Sequence, residues 1–460
     1  MAIKAAAFLM AGRIPLGGRC RQGPLADTHP KVHAAMWAIF AVTYVGIALG
    51  GFPRLVLDRT GIALLGAIAM LVVRGVSIRE AAAHIDYETM LLLFGLMIFS
   101  AQLRVAGFYV WCGNFLTRLT DRPGRLLAGL IAVSAVLSAF LANDIVCLAF
   151  TPLLCHALLA ARRDPVPYLV ALATSSNIGS AATIIGNPQN MYIGAVAGLA
   201  FGHFALVMAP VVLAALALNW LAVVVLFRQR LNRLDGHPSA ITAHEGDTLV
   251  PSSLPLQVHP PDRDMYLIVK SLVLLGALVV FFLIVRGPAA AEWRATAALA
   301  GAGALLCSHR AKAAKLYQLV DWNLLLLFLG LFVVNGAMQE RGLTAAALQT
   351  LTDRGVRLDQ PVMLTAVTLV LSNLVSNVPA VLLLKPALAA ADQRSLWYLL
   401  ALVSTWAGNL TLVGSIANLI VAESAAAFGV QVRLRTYCLV GVPLTLVTVA
   451  TGLAWLLLVM

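Results

Sequence analysis

The chain has 460 residues, 61% of them hydrophobic and 11% charged. A soluble globular domain carries about 45–50% apolar and about a quarter charged residues, so a soluble fold is excluded and an integral membrane protein with many spans is expected. The formal net charge of +12 does not call for a nucleic-acid partner, because the bases cluster in short loops between apolar runs, where they set topology.

Residues 1–35 form an N-terminal tail that opens MAIKAAAFLMAGR. Its apolar stretch is too short, and too poorly followed by a cleavage site, to serve as a signal peptide. Apolar runs of membrane length then occur at about 36–52, 60–77, 88–108, 126–160, 167–194, 204–227, 265–285, 294–308, 322–338, 361–392, 396–428 and 436–460. They are far longer than barrel strands need, so the fold expected is an all-α polytopic membrane protein.

Two runs, 126–160 and 361–392, exceed one crossing but fall short of two. Each breaks near its centre, at FLANDIVCL around Asn143 and at LVSNVPAVL around Asn377. That pattern predicts re-entrant hairpins. The run 167–194 carries Gly, Asn and Pro at its middle, as in SSNIGSAATIIGNPQN, the run 396–428 carries Gly and Asn, as in AGNLTLVGSIAN, and both read as broken helices. Between the halves lies a polar linker, 228–264.

The halves repeat. RTGIALLGAIAMLV from Arg59 resembles RATAALAGAGALLC from Arg294, and IDYETMLLLFGLM from Ile85 resembles VDWNLLLLFLGLF from Val320. Further along, NDIVCLAFTPLL from Asn143 matches NVPAVLLLKPAL from Asn377. The stretch from Ser175 matches VSTWAGNLTLVGSIAN from Val403, setting Gly186 against Gly414 and Asn190 against Asn418. Residues 36–227 and 265–460 are thus two repeats of five spans and one hairpin. An odd span number inverts the second against the first, a common design of secondary transporters. More Lys and Arg lie on the linker side, so the linker is expected in the cytoplasm and both termini outside.

An unpaired backbone amide in hydrocarbon costs several kcal/mol, so helix breaks at membrane depth survive where they face protein, water or a ligand. Four breaks qualify: the tips Ala142-Asn143-Asp144 and Ser376-Asn377-Val378, and the interruptions Gly186 to Asn190 and Gly414 to Asn418. Half-helices restarting there aim partial positive charge at the gap, which suits an anion or a neutral oxyacid; carbonyls and amides there can instead hold sodium. The candidate substrate- or ion-binding residues are Asn143, Asp144, Asn177, Asn187, Asn190, Ser376, Asn377, Asn409, Ser415 and Asn418, with Gly186 and Gly414 letting backbone approach. The same asparagines also serve to stitch broken backbone.

Asp144 is the one acid at a break. A charge at the bilayer centre costs about 2.5–3.5 kcal/mol on insertion scales, which makes it a candidate proton carrier as well as a cap for its half-helix. Glu423, five residues past Asn418, is a second candidate. Lys385 either snorkels to the interface or neutralises charge at the site. Cys147 and Cys155 sit eight residues apart and read as small buried hydrophobes or as a soft thiol pair. His156 and His203 lack metal-ligand spacing, so no metal is expected. No HExxH, GxSxG or Walker loop occurs, so no enzyme and no cofactor is expected.

The strings AND…TP, SSNIGSAATIIGNPQN, SNVPAVLLL and GSIAN resemble the ion transporter superfamily, in its arsenite permease-like and anion permease branch, over nearly all of 36–460. The resemblance implies an elevator-type carrier, a homodimer, in a bacterial inner membrane. It assigns Asn143 and Asn377 at the hairpin tips to the sodium or substrate site. Divalent anion/sodium symporters of this superfamily carry Ser-Asn-Thr at both tips, where this chain has Ala-Asn-Asp and Ser-Asn-Val. The Asp suggests proton coupling through Asp144. A carrier of an inorganic or organic anion or oxyacid, arsenite leading, is therefore expected. The alternatives are a sodium/proton antiporter and a dicarboxylate or citrate symporter with sodium; an intramembrane enzyme is disfavoured.

Overall fold

In a computed structural model, residues 30–51, 57–73, 75–232, 263–391 and 393–460 are described. Most of the expected tail and linker lies outside these residues. Within them the chain is helical and no strand occurs. The first half runs α1 (Pro30–Leu49), α2 (Arg59–Val72), the short α3 (Ile78–Ala83), α4 (Tyr87–Val105), α5 (Phe108–Thr117), α6 (Pro123–Phe140), α7 (Asn143–Ala160), α8 (Val166–Ser180), α9 (Pro188–Val196), α10 (Phe201–Leu226) and the short α11 (Arg228–Asn232). The second half runs α12 (Met265–Ile284), α13 (Ala290–Leu306), the short α14 (Ala313–Tyr317), α15 (Trp322–Glu340), α16 (Leu343–Asp353), α17 (Pro361–Val375), α18 (Asn377–Ala391), α19 (Arg394–Trp406), α20 (Ile416–Ala426) and α21 (Leu434–Val459). Eight of these helices are long and apolar enough to cross a membrane, and the chain is a multi-pass membrane protein.

Local chemistry sets the boundaries. The acids of IDYE and VDWN cap α4 and α15: Thr89 N donates to Asp86 Oδ1 at 2.9 Å and Leu324 N to Asp321 Oδ1 at 3.0 Å. Asp58 does the same for α2 through Gly61 N at 2.8 Å. Proline opens α6, α9 and α17, where its missing N–H is no loss. The expected run 60–77 ends early as α2, because Ser77 forms a capping box with Glu80 and starts α3. The first helix begins at Pro30, so the last residues of the expected tail are helical.

The halves pack by exchange. Helix α4 lies against α13, and α15 against α2. Both contacts need glycine: a Cβ on Gly95 would lie 2.8 Å from the Ala298 carbonyl carbon, and one on Gly330 would lie 2.7 Å from that of Ala63. Each pair is the other's counterpart 235 residues away, so the sequence repeat reappears as a repeated contact. The run 126–160 forms two helices, α6 and α7, that pack on each other; α17 and α18 do the same. Helix α6 also lies along α8, joined by hydroxyl pairs Ser134–Ser175 at 2.6 Å and Ser138–Ser176 at 2.9 Å. Small residues at such seams let backbones approach where apolar burial gives no drive. Across the halves, α7 packs on α20 and α9 on α18.

Candidate functional site

Both interrupted stretches unwind ahead of the glycines that the sequence marks. Helix α8 ends at Ser180 and the chain restarts at Pro188; α19 ends at Trp406 and continues through two short 3-10 turns to Ile416. Side chains after each gap bind the carbonyls before it. Asn190 Nδ2 donates to Thr183 O at 3.3 Å, and Asn418 Nδ2 to Thr411 O at 3.1 Å. Asn187 Nδ2 donates to Ser180 O at 3.2 Å, and Asn418 Nδ2 to Gly408 O at 2.7 Å. The two gaps therefore close in equivalent ways. Gly186 and Gly414 complete them: a Cβ on Gly186 would collide with Ser180 O, and one on Gly414 would lie 3.0 Å from Gly408 O.

Asn177 stands where the halves meet. Its Oδ1 accepts from Asn143 Nδ2 at 3.1 Å and from Ser415 Oγ at 3.2 Å. Its Nδ2 donates to Asn409 Oδ1 at 2.9 Å and to Asn418 Oδ1 at 3.1 Å. All four valences of the amide are thus taken by protein. Asn409 Nδ2 in turn donates to Thr174 O at 3.3 Å. One side chain joins the first hairpin tip to both turns of the second interruption. Nearby, Thr405 Oγ1 accepts from Asn187 Nδ2 at 3.1 Å and from Gln189 Nε2 at 3.4 Å, and donates to Asn190 Oδ1 at 3.4 Å.

The second tip reaches the same place. A Cβ on Gly408 would lie 3.4 Å from Asn377 Nδ2 and 3.1 Å from the Ser415 side chain. Asn377 Oδ1 is buried and accepts no hydrogen bond. Ser376 has φ 76° and ψ 161°, a region nearly reserved for glycine that stores about 1–3 kcal/mol. Its counterpart Ala142 sits at an ordinary φ of −58°. Ser376→Gly is expected to raise unfolding stability by about 1 kcal/mol, since relief of strain exceeds the entropic cost of glycine. A thermal melt of the purified protein in detergent checks this, and a lower midpoint contradicts it.

Asp144 lies in the first turn of α7. With Asp321, Asn143, Gly186 and Asn187 it lines a cavity of about 80 Å³ whose lining includes neither Arg nor Lys. Drug-sized ligands occupy about 300–1,000 Å³, so this space suits a small solute or ion. The remaining residues lie apart. Glu423 is exposed, on the face of α20 opposite buried Asn418, Val421 and Ala425. Lys385 Nζ lies 5.6 Å from the Tyr192 ring centroid, beside a separate and mostly apolar cavity of about 380 Å³. Cys147 and Cys155 are buried in the core. Among the described residues no His, Cys, Asp or Glu cluster could hold a metal ion.

Two residues of the site escape the sequence reading. Asp321 is recognisable as a cap, but its place beside Asp144 is set by packing between the halves. Asn373 donates to Ala407 O at 3.0 Å and accepts from Thr411 Oγ1 at 3.4 Å. Its signal is a second asparagine in SNLVSN, one turn of helix before the tip.

Comparison with known proteins gives a consistent picture. The chain is 31% identical over 483 residues to "Silicon efflux transporter LSI3" of Oryza sativa subsp. japonica, covering 92% of this chain and 97% of that protein. It is 29% identical to a 46 kDa membrane protein of Mycobacterium leprae (strain TN), over 90% and 95% of the two chains. It is 25% identical to "Putative transporter arsB" of Dictyostelium discoideum, over 87% of each. The crystal structure of the Alcanivorax borkumensis YdaH transporter superposes with a TM-score of 0.51 at 14% identity, over 93% of this chain and 96% of that one; this likeness concerns the fold. The protein is a membrane transporter of anions or other solutes and not an enzyme. The citrate transporter profile matches residues 36–407, and the chain belongs to that family within the ion transporter superfamily.

Proposed function

We propose that the protein is a proton-coupled secondary carrier of a small hydroxylated oxyacid, with arsenous acid the leading substrate and silicic acid of the same class. The observation that carries this is the chemistry of the unspent groups. The amides of Asn177, Asn187 and Asn190 are occupied by protein. What is left for a solute at the tips is the Asn377 amide, whose buried Oδ1 has no donor, and the Asp144 carboxyl beside a small cavity. A neutral acid bearing several O–H groups supplies donors to such acceptors. Citrate brings three negative charges to a cavity lined by two aspartates and no side-chain cation, and it fits poorly. Relatives named for silicon efflux and as arsB support the same class.

A second reading, sodium/proton exchange, is favoured by the two carboxylates on one cavity. In either case the inverted repeats and re-entrant tips support an elevator-type motion, in a homodimer of the cell membrane with the linker cytoplasmic. The test is flux from proteoliposomes loaded with arsenous acid, silicic acid or citrate. Proton-gradient-dependent loss of the neutral acids, without loss of citrate, is expected. Sodium-dependent citrate flux with no movement of the neutral acids overturns the proposal.

A further inference from the structure

The repeated halves are not in equivalent positions. Helix α9 packs on α4 and α18 packs on α15, whereas the counterpart pairs α20 with α15 and α7 with α4 do not pack to the same extent. One buried side chain holds the first arrangement. Arg294, at the start of α13 and 2% exposed, donates from one terminal guanidinium nitrogen to Leu199 O at 3.0 Å and from the other to Gly194 O at 3.3 Å. Those carbonyls lie at the C-terminal end of α9, the half-helix that follows the first gap. A planar guanidinium with two forked donors suits the carbonyls of a helix end, here that of Leu199 and that of Gly194, which also accepts from Leu199 N at 3.1 Å; the helix dipole there also favours a cation. Since α13 packs on α4, Arg294 ties the half-helix to the helices against which it would slide.

The counterpart of Arg294 is Arg59, 235 residues earlier, at the start of α2. Each half-helix closes on a left-handed glycine, Gly198 after α9 and Gly429 after α20, and Leu199 N to Gly194 O is matched by Val430 N to Ala425 O, so the counterparts of Gly194 and Leu199 are Ala425 and Val430. Arg59 is half-buried, and among the described residues no hydrogen bond joins it to that helix end. The clamp is closed in one repeat and open in the other.

We infer that Arg294 and Arg59 are alternating positioning residues of the transport cycle. In the conformation seen here Arg294 grips the end of α9. In the opposite-facing conformation Arg59 grips the end of α20 through the Ala425 and Val430 carbonyls, and Arg294 lets go. Neither arginine contacts solute; each stabilises one end of the motion. An inverted repeat requires this exchange, because whatever one half does in one state the other does in the next. The inference rests on the inverted-repeat reading and not on the identity of the substrate.

The experiment uses the full chain, made cysteine-free, with one thiol introduced at Ala197→Cys beside the end of α9 or at Ala426→Cys at the end of α20. Labelling by a membrane-impermeant maleimide is followed from each side of oriented vesicles. With both arginines present, the two thiols label from opposite sides; labelling from the same side shows that the inverted-repeat reading itself fails. Given opposite sides, Arg294→Gln is expected to raise the labelling rate at residue 197 and to lower it at residue 426. A charge-assisted pair of bonds shifts a two-state ratio by about tenfold or more. Arg59→Gln is expected to do the reverse, and the double variant to return both rates toward the starting values. Loss of a merely structural cap raises labelling at 197 alone and leaves 426 unchanged, and that result overturns the proposal. So does an Arg59→Gln response of the same sign as Arg294→Gln. Arg294→Lys, which keeps charge but loses the fork, is expected to give a partial shift in the direction of Arg294→Gln.

Discussion

Replacing Asn177 with leucine is expected to abolish transport and to lower unfolding stability by about 2–3 kcal/mol. The arithmetic starts from four hydrogen bonds made by one amide, to Asn143, Ser415, Asn409 and Asn418. Inter-helix hydrogen bonds inside membrane proteins average about 0.6 kcal/mol each. The functional loss is larger than the stability loss, because these bonds hold a hairpin tip against an unwound segment of the other half. Without them the first tip is free to move, and a displacement of about 1 Å at a site can cost a hundredfold in rate. Asn177→Asp separates the contributions. A carboxylate still accepts from Asn143 and Ser415 but cannot donate to Asn409 or Asn418, so an intermediate loss is expected. Thermal melts and flux assays on the same preparations provide the measurement. A leucine variant that transports normally would show that the lacing does not support the site.

Some of this is legible in the chain and some is not, for physical reasons. The breaks ahead of Asn143 and Asn377 are legible because each interrupts a long apolar run with polar residues. The equivalence of α2 with α13 and of α4 with α15 is legible from the repeat. The exact start of each gap is not. Residues 181–185 read AATII and hold no local breaker; the helix stops because Asn187 and Asn190, farther along, capture the carbonyls of Ser180 and Thr183. The partners of Asn177 are also hidden, since Asn409 and Asn418 lie 232 and 241 residues away. Ser376 hides for a different reason: it is not glycine, so no composition rule points to its left-handed φ of 76°. Strain of that kind persists only when surrounding packing imposes it.

The same reasoning separates the two acids that the sequence leaves as rivals for the proton. Asp144→Asn is expected to abolish accumulation driven by a proton gradient while leaving downhill exchange measurable. The variant keeps the shape of the side chain and its place in the first turn of α7, and it removes the group that can take up and release a proton. A fixed charge at membrane depth is costly to move, about 2.5–3.5 kcal/mol at the bilayer centre. A carrier that crosses with Asp144 protonated avoids this cost, whereas one that crosses with it ionised does not. The asparagine variant is permanently neutral and crosses in both directions, so it equilibrates solute without concentrating it. Asp321 lines the same cavity but also caps α15, so Asp321→Asn is expected to lower coupled flux less, since asparagine still caps a helix. Glu423 is exposed on the far face of α20, and Glu423→Gln is expected to leave coupling intact. Accumulation ratios in proteoliposomes, with and without an imposed pH gradient, distinguish these cases. Coupled accumulation that survives Asp144→Asn and disappears with Glu423→Gln reverses the assignment, because a proton carried on an exposed helix face needs no cavity at the hairpin tip.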